Sequence, residues 1–388
     1  MKKMPNIIIL MPDQFRADCT GASGNKFIKT PNIDKIAERG IFFENCFTTT
    51  PLCMPARASF VSGLYPHNHK MWENKGNLPP DDETFFHHLK ETGYFTAYIG
   101  KSHFYEHGKF HMKEKEPYMH ARGIDYVYET TGPWATVTTD SYMTDYLKEK
   151  GLLSVFREDY VERKKNRFST HPSPLPEEDY LDSYVGKQAV KFLKEYNNDK
   201  PLCLFVGFPG PHEPWDPPEK YAEIYNSVEV PEPIPSGDIP PWVPEKVRER
   251  LKKERERFPH LDEEKLKKVK RNYYGKITLI DYWIGKIIDV LYEKNWFDNS
   301  LIIFWSDHGE MLGDHGLFFK QVFYESSVKV PLIIKMPENM NKGKRIKSLV
   351  EIIDVFPTIL DISNSSPSER CLGKTLLPLI EDEINSHR

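Results

Sequence analysis

The chain has 388 residues, 39% hydrophobic and 28% charged with 13% aromatics, which supplies a substantial core and argues against global disorder. Its 53 basic and 57 acidic side chains leave a net charge of −4, so neither nucleic acid nor an anionic membrane is attracted by overall charge. No apolar run approaches the ~20 residues of a membrane span, and five cysteines without CxxC spacing fit neither a disulfide framework nor a zinc ribbon.

The chain opens Met1-Lys2-Lys3-Met4-Pro5 and enters a strand-sized run, Asn6 to Met11. That run is too short for a signal-peptide core, and a cytoplasmic protein is expected. Asn32 to Arg39 predicts a short helix stopped by Gly40, and Ile41 to Phe47 is an apolar, aromatic run. Pro55 to Ser62 suits a proline-initiated helix. Thr84 to Thr92 predicts a helix ending at Gly93, followed by a strand over Tyr94 to Ile99. Leu202 to Phe208 and Leu301 to Trp305 predict two more buried strands. Tyr273 to Glu293 carries apolar residues at helical spacing, and Val330 to Met336 suits a strand. Alternating strands and helices imply a mostly parallel α/β sheet.

Two regions resemble insertions in this pattern, about 104–180 and 213–272. The first is rich in His, Tyr, Pro and charge without a clear period. The second contains six prolines between Pro231 and Pro244, where regular structure is disfavoured. Beyond them, Glu245 to Arg271 mixes both charge signs densely, as a solvated helical face does. The expected organisation is a catalytic unit over 1–345 and a short segment over 346–388.

Four predicted strands run into polar clusters: Pro12-Asp13-Gln14, Gly100-Lys101-Ser102-His103, Pro211-His212-Glu213-Pro214 and Ser306-Asp307-His308-Gly309-Glu310. Ligands of open α/β sheets bind outside the carboxyl ends of parallel strands. If these strands are parallel, the clusters meet. Each is weak alone, because an aspartate after a strand is more often a cap or turn residue. Together, Asp13, Gln14, Asp307 and His308 suffice for one divalent cation, and their oxygens favour Ca²⁺ or Mg²⁺ over zinc. Lys101, Arg57 and Lys320 are positive donors suited to a tetrahedral oxyanion. His103 and His212 are candidates for proton transfer. Cys53-Met54-Pro55-Ala56-Arg57 places a cysteine at a helix entrance, where free N–H groups favour an anion, with Arg57 one turn on.

Cys53, Pro55 and Arg57 match the C-x-P-x-R signature, and here the chain resembles the sulfatase family of the alkaline-phosphatase-like superfamily. Thr30-Pro31-Asn32-Ile33-Asp34, Ser62-Gly63-Leu64-Tyr65-Pro66, Gly100-Lys101 with His103, Pro211-His212-Glu213-Pro214 and Ser306-Asp307-His308-Gly309 through Lys320 follow in the family's order. Ala56 stands where the commonest signature has serine, and Gln14 where many members have a second aspartate. The resemblance implies that Asp13, Gln14, Asp307 and His308 hold a divalent metal, usually calcium, with Mg²⁺ or Mn²⁺ as alternatives. It implies that Cys53 is converted to formylglycine by a formylglycine-generating or anaerobic sulfatase-maturating enzyme. The hydrated aldehyde attacks sulfur, and the covalent sulfate is later expelled by elimination. Arg57 and Lys101 then stabilise the diol and sulfuryl oxygens, His212 and Lys320 serve the leaving alcohol, and His103 accepts a diol proton. Asn74 resembles a further substrate-binding contact, alongside Lys101, His212 and Lys320.

The implied activity is hydrolysis of a small-molecule or saccharide sulfate ester, by a protein that allows homo-oligomer formation. The alternatives are a phosphonate monoester or phosphodiester hydrolase of the same superfamily, against which Lys101 and His103 argue, and a non-catalytic protein on the same fold. Ile353 to Leu360 resembles the family's late helix. Gly373 to Ile380 resembles the segment before a C-terminal antiparallel subdomain, which is expected to be reduced or missing.

Overall fold

The computed structural model describes residues 4–257, 261–367 and 369–388. Among the described residues, eight strands form one sheet: β1 (Asn6–Asp13), β2 (Ile41–Phe47), β3 (Phe95–Gly100), β4 (Tyr126–Glu129), β5 (Leu202–Pro211), β6 (Ser300–Trp305), β7 (Lys329–Lys335) and β8 (Lys344–Glu351). Their order is β4-β3-β5-β1-β6-β7-β2-β8. The pairs β4–β3, β3–β5, β5–β1 and β1–β6 are parallel, as is β2–β8, and β7 runs antiparallel to both of its neighbours. This is the expected mostly parallel α/β architecture.

Side-chain alternation along β1 builds the core on both faces. Ile7, Ile9 and Met11 enter one buried cluster, with the helices Cys53–Ser62, Phe85–Glu91 and Val355–Ile362. Ile8 and Leu10 enter the other, under Pro31–Arg39, Leu181–Glu195 and Glu263–Glu293. Phe60 stacks on Trp305 at 3.6 Å between ring centroids, which locks the signature helix onto β6.

The predicted helices end close to their sequence signals, but the long helix expected from Tyr273 starts ten residues earlier, at Glu263. Cys53–Ser62 begins two residues before Pro55 and ends at Gly63, whose φ of 68° provides the left-handed cap. The long helix begins at Glu263, capped by the Asp262 side chain accepting from Lys265 N at 2.7 Å. The proline-rich run from Pro231 to Pro241 has no regular secondary structure, and Glu245–Arg257 is a largely exposed helix that buries Leu251. Among the described residues, no helix is long and apolar enough to cross a membrane.

The stretch 104–180 contains edge strand β4 and the helices Tyr142–Glu149 and Leu153–Lys165. A small cluster of Met143, Leu147, Phe156, Tyr160 and Tyr184 packs it together. The tyrosines bury their rings and pair their hydroxyls, Tyr128 with Tyr184 at 2.7 Å and Tyr160 with Asp216 at 2.8 Å. Tyrosine thus does apolar work here without producing an apolar period.

Candidate active site

Strands β1, β3, β5 and β6 are parallel and adjacent, so their carboxyl ends bring Asp13, Lys101, His212, Asp307 and His308 to one side of the sheet. Two local backbone features aim the side chains. Gly100, with φ of 100°, packs so closely on β5 that a Cβ would strike the Gly207 carbonyl oxygen. Gln14 and His103 adopt left-handed φ values of 66° and 57°, a cost of order 1–3 kcal/mol each that the surrounding packing sustains.

The centre is a buried acid pair clamped by one arginine. Arg57 Nη2 donates to Asp13 Oδ2 at 2.9 Å, and Arg57 Nε donates to Asp307 Oδ2 at 2.9 Å. Arg57 Nη1 donates to the Lys101 carbonyl at 2.6 Å, and Lys101 Nζ donates to Asp13 Oδ2. One oxygen of each carboxylate is thereby committed to a cation. The other oxygens, Asp13 Oδ1 and Asp307 Oδ1, face His308 Nε2 at 3.9 and 3.8 Å. Cys53 Sγ lies 3.1 Å from His308 Nε2 and 3.9 Å from Asp13 Oδ1. One ligand atom from each of Asp13, Cys53, Asp307 and His308 falls within 4.8 Å of the others.

Electrostatics follow from this packing. Burial alone would raise the Asp13 carboxyl, but Lys101 and Arg57 hold it well below the usual carboxylate range. Burial would likewise lower His308, yet Asp307 and Cys53 push it up to about 9. His308 Nδ1 donates to the Gly309 carbonyl at 2.9 Å, so Nε2 is the atom that carries the extra proton or a metal. A hard divalent cation fits this cradle: two carboxylate oxygens and an imidazole nitrogen converge, and a cation would take the place of the His308 Nε2 proton. Burial and Asp13 raise the Cys53 thiol, but Lys320, His308 and Lys101 outweigh them and lower it.

Around the centre lies a second tier. Lys320 Nζ donates to His212 Nε2 at 2.9 Å and to Gln14 Oε1. Because lysine only donates, His212 Nε2 accepts, and its Nδ1 donates to the Glu213 carbonyl at 2.8 Å. Burial pushes His212 down to about 3, a neutral imidazole. Gln14 Nε2 donates to Glu213 Oε2 at 3.1 Å and to Glu310 Oε2. The Gln14 amide oxygen therefore faces Lys320, while its backbone N–H donates to Asp307 Oδ1 at 3.0 Å.

Two of the expected residues sit differently. Asn74 Oδ1 accepts from Met54 N at 2.9 Å, so it caps the first turn of the helix carrying Cys53. His103 stacks on His107 with ring centroids 4.7 Å apart. Burial and His107 hold it well below its ordinary range, and its Nδ1 has no hydrogen-bond partner among the described residues.

Sequence reasoning passed over Glu213, Glu310 and Lys276. The first two stand inside motifs quoted for their histidines and leave a signal only as acids beside them. Lys276 lies in the middle of the long helix, fully buried, and donates to the carbonyls of His212 at 2.5 Å and Pro214 at 2.9 Å. It fixes the loop that presents His212. Asp216, held by Tyr160 and Tyr180 at 2.8 and 3.0 Å, lies 3.7 Å from Lys276 Nζ.

Comparisons with known proteins agree with this geometry. A protein-family model described as Sulfatase matches residues 5–365. An arylsulfatase of Clostridium perfringens is 32% identical over 99% of this chain and 80% of its own length. A choline-sulfatase of Rhizobium meliloti is 30% identical over 97% of this chain and 71% of its own. The solved phosphonate monoester hydrolase of Agrobacterium radiobacter superposes with a TM-score of 0.77 at 23% identity, covering 97% of this chain and 77% of that one.

Proposed function

The chain belongs to the sulfatase family of the alkaline-phosphatase-like superfamily and is a sulfatase, and from that premise we propose that its sulfate-ester hydrolysis runs on a formylglycine made from Cys53. The observation that carries this reading is the convergence of Cys53 with Asp13, Asp307 and His308 within 4.8 Å. Asp13, Asp307 and His308 would hold the divalent metal, Ca²⁺ by the hard oxygen set, or Mg²⁺ or Mn²⁺. Gln14 would join them through Oε1 once Lys320 releases it. Formylglycine supplies an oxygen nucleophile when hydrated, and the metal supplies a positive charge that orients and acidifies it.

The chain's own residues do the rest. Arg57 and Lys101 present positive charge at the Asp13 side of the centre, where the sulfuryl oxygens would lie. Lys320 stays a cation, because Cys53 and Glu213 outweigh burial and raise it. A leaving oxygen at this position takes the hydrogen bond that Lys320 now gives to His212. His103, kept neutral, accepts a proton at Nδ1. Asn74 steadies the helix entrance. On this reading the catalytic unit spans 1–345, with 346–388 a C-terminal segment, in a cytoplasmic protein that meets a formylglycine-generating or anaerobic maturating enzyme and that allows a homo-oligomer.

Mass spectrometry of the Cys53 peptide, from protein co-produced with a maturating enzyme, is expected to show the aldehyde. Cysteine alone in protein that still cleaves sulfate esters would sink the formylglycine route. EDTA should abolish turnover, and Ca²⁺ should restore it. A kcat/KM higher for a phenylphosphonate ester than for 4-nitrophenyl sulfate would favour the phosphonate hydrolase reading instead.

A further inference from the structure

Outside His212 and Lys320 lies a cavity of about 230 Å³, also lined by Trp134, Arg167, Glu254 and Arg257. It opens beside a second cavity of about 320 Å³, and the two share Arg167, Arg257 and Phe319. Lys164 and Lys165 line the outer cavity too, so four cationic side chains surround it, and no acidic residue lines it among the described residues. The inner cavity has two acids, each already answered. Glu213 Oε1 accepts from Arg167 at 2.6 Å and Glu254 pairs with Arg257 at 3.3 Å. Lys165 pairs with Glu162 at 2.6 Å, but both side chains are more than two-thirds exposed, and such a pair yields readily to another anion.

Arg167 is placed by its neighbours. Its guanidinium lies 4.5 Å from the Phe319 ring centroid and 5.7 Å from that of Trp134. These are the aromatic faces that a quaternary ammonium would need, and the chain's own cation already covers them. A choline-like alcohol would meet like charge and find its cage filled. A carboxylate or a second sulfate in the outer cavity would meet Arg167, Arg257 and two lysines, with no acidic residue lining that cavity among the described residues.

We propose that the groove formed by Lys164, Lys165, Arg167 and Arg257 is a subsite for an additional anionic group on the substrate, so that the preferred ester is multiply charged, such as a polysulfated or carboxylated saccharide. This rests on the sulfatase reading, because it places the leaving alcohol at His212 and Lys320. Binding and turnover separate the two claims. Turnover of 4-nitrophenyl sulfate tests the sulfatase reading alone. The subsite is tested by calorimetry with full-length Cys53→Ala protein and heparin-derived disaccharides bearing one or three sulfates. The trisulfated probe is expected to bind at least about tenfold tighter at low salt. That advantage should shrink as ionic strength rises and fall at least about threefold in a Lys164→Gln/Lys165→Gln background. Equal affinity for the two probes, or an advantage that the double substitution leaves intact, overturns the proposal.

Discussion

Asp13 and Asp307 are fully buried and Arg57 is 1% exposed, whereas Arg167 and Arg257 at the rim keep 41% and 59% of their side chains in solvent. Both regions pair arginine with carboxylate, but burial changes what the pairs do. At the centre, removing one partner strands a desolvated charge, so position is enforced by energy. At the rim the arginines stay in water even though Glu213 beside Arg167 is buried, so the more exposed Arg257–Glu254 pair sets preference more than structure. The centre can therefore hold one geometry for chemistry, while the rim can accept a different alcohol with little loss of stability.

That contrast can be broken most sharply at Cys53. Cys53→Ala should lower kcat for sulfate esters by at least about 10³-fold and change unfolding stability by no more than about 1 kcal/mol in urea titrations. Arg57→Met should cost stability as well as activity, about 3–5 kcal/mol, since Asp13 and Asp307 lose their shared partner. A urea midpoint equal to that of the unsubstituted chain would show that the centre is not energetically enforced.

Glu129 offers a pH test of the same buried side. Burial pushes its carboxyl up to about 7, against the donor bonds of Ser102 and Tyr105. Between the ordinary value of 4.5 and about 7 the folded chain keeps a proton that the unfolded chain releases. The contribution is therefore fully present below about 4.5 and is lost as pH rises through about 7. Comparing Glu129→Gln with the parent at pH 5 and pH 8 should show the parent losing of order 3 kcal/mol more across that window. Lys276→Met should lower kcat about 10- to 100-fold by loosening the His212 loop, with KM moving less. The smallest effect belongs to the rim. Glu254→Gln should raise kcat/KM severalfold for a doubly charged aryl sulfate over 4-nitrophenyl sulfate, with stability unchanged within about 0.5 kcal/mol.

The same division decided what could be read from residues alone. Strands β1, β3, β5 and β6 are continuous apolar runs because both faces of the sheet are covered, and each ends in a polar cluster that gains meaning only jointly with the others. The convergence of these residues could thus be anticipated from spacing and motif order, but not the pairing of Arg57 with both Asp13 and Asp307. Strand β8, Lys344–Glu351, and edge strand β4, Tyr126–Glu129, are half-solvated and give no such run. Glu213 and Glu310 escaped notice because acids beside a histidine motif look like solvated charge. Both are held in the interior by Gln14, which lies 199 and 296 residues away from them along the chain. Arg167 lies in the aperiodic, tyrosine-rich stretch, where only the folded chain shows that it faces Phe319.

The helix Cys53–Ser62 is buried on every side, and the Cys53 side chain with it. On the formylglycine reading this has a consequence in time. A maturating enzyme cannot grip a peptide sealed between β6 and the Val355–Ile362 helix, so conversion must race against folding. Overproduction that outpaces the maturating enzyme would then leave well-folded, unconverted and inactive molecules, and slowing synthesis would raise specific activity without changing yield per folded chain.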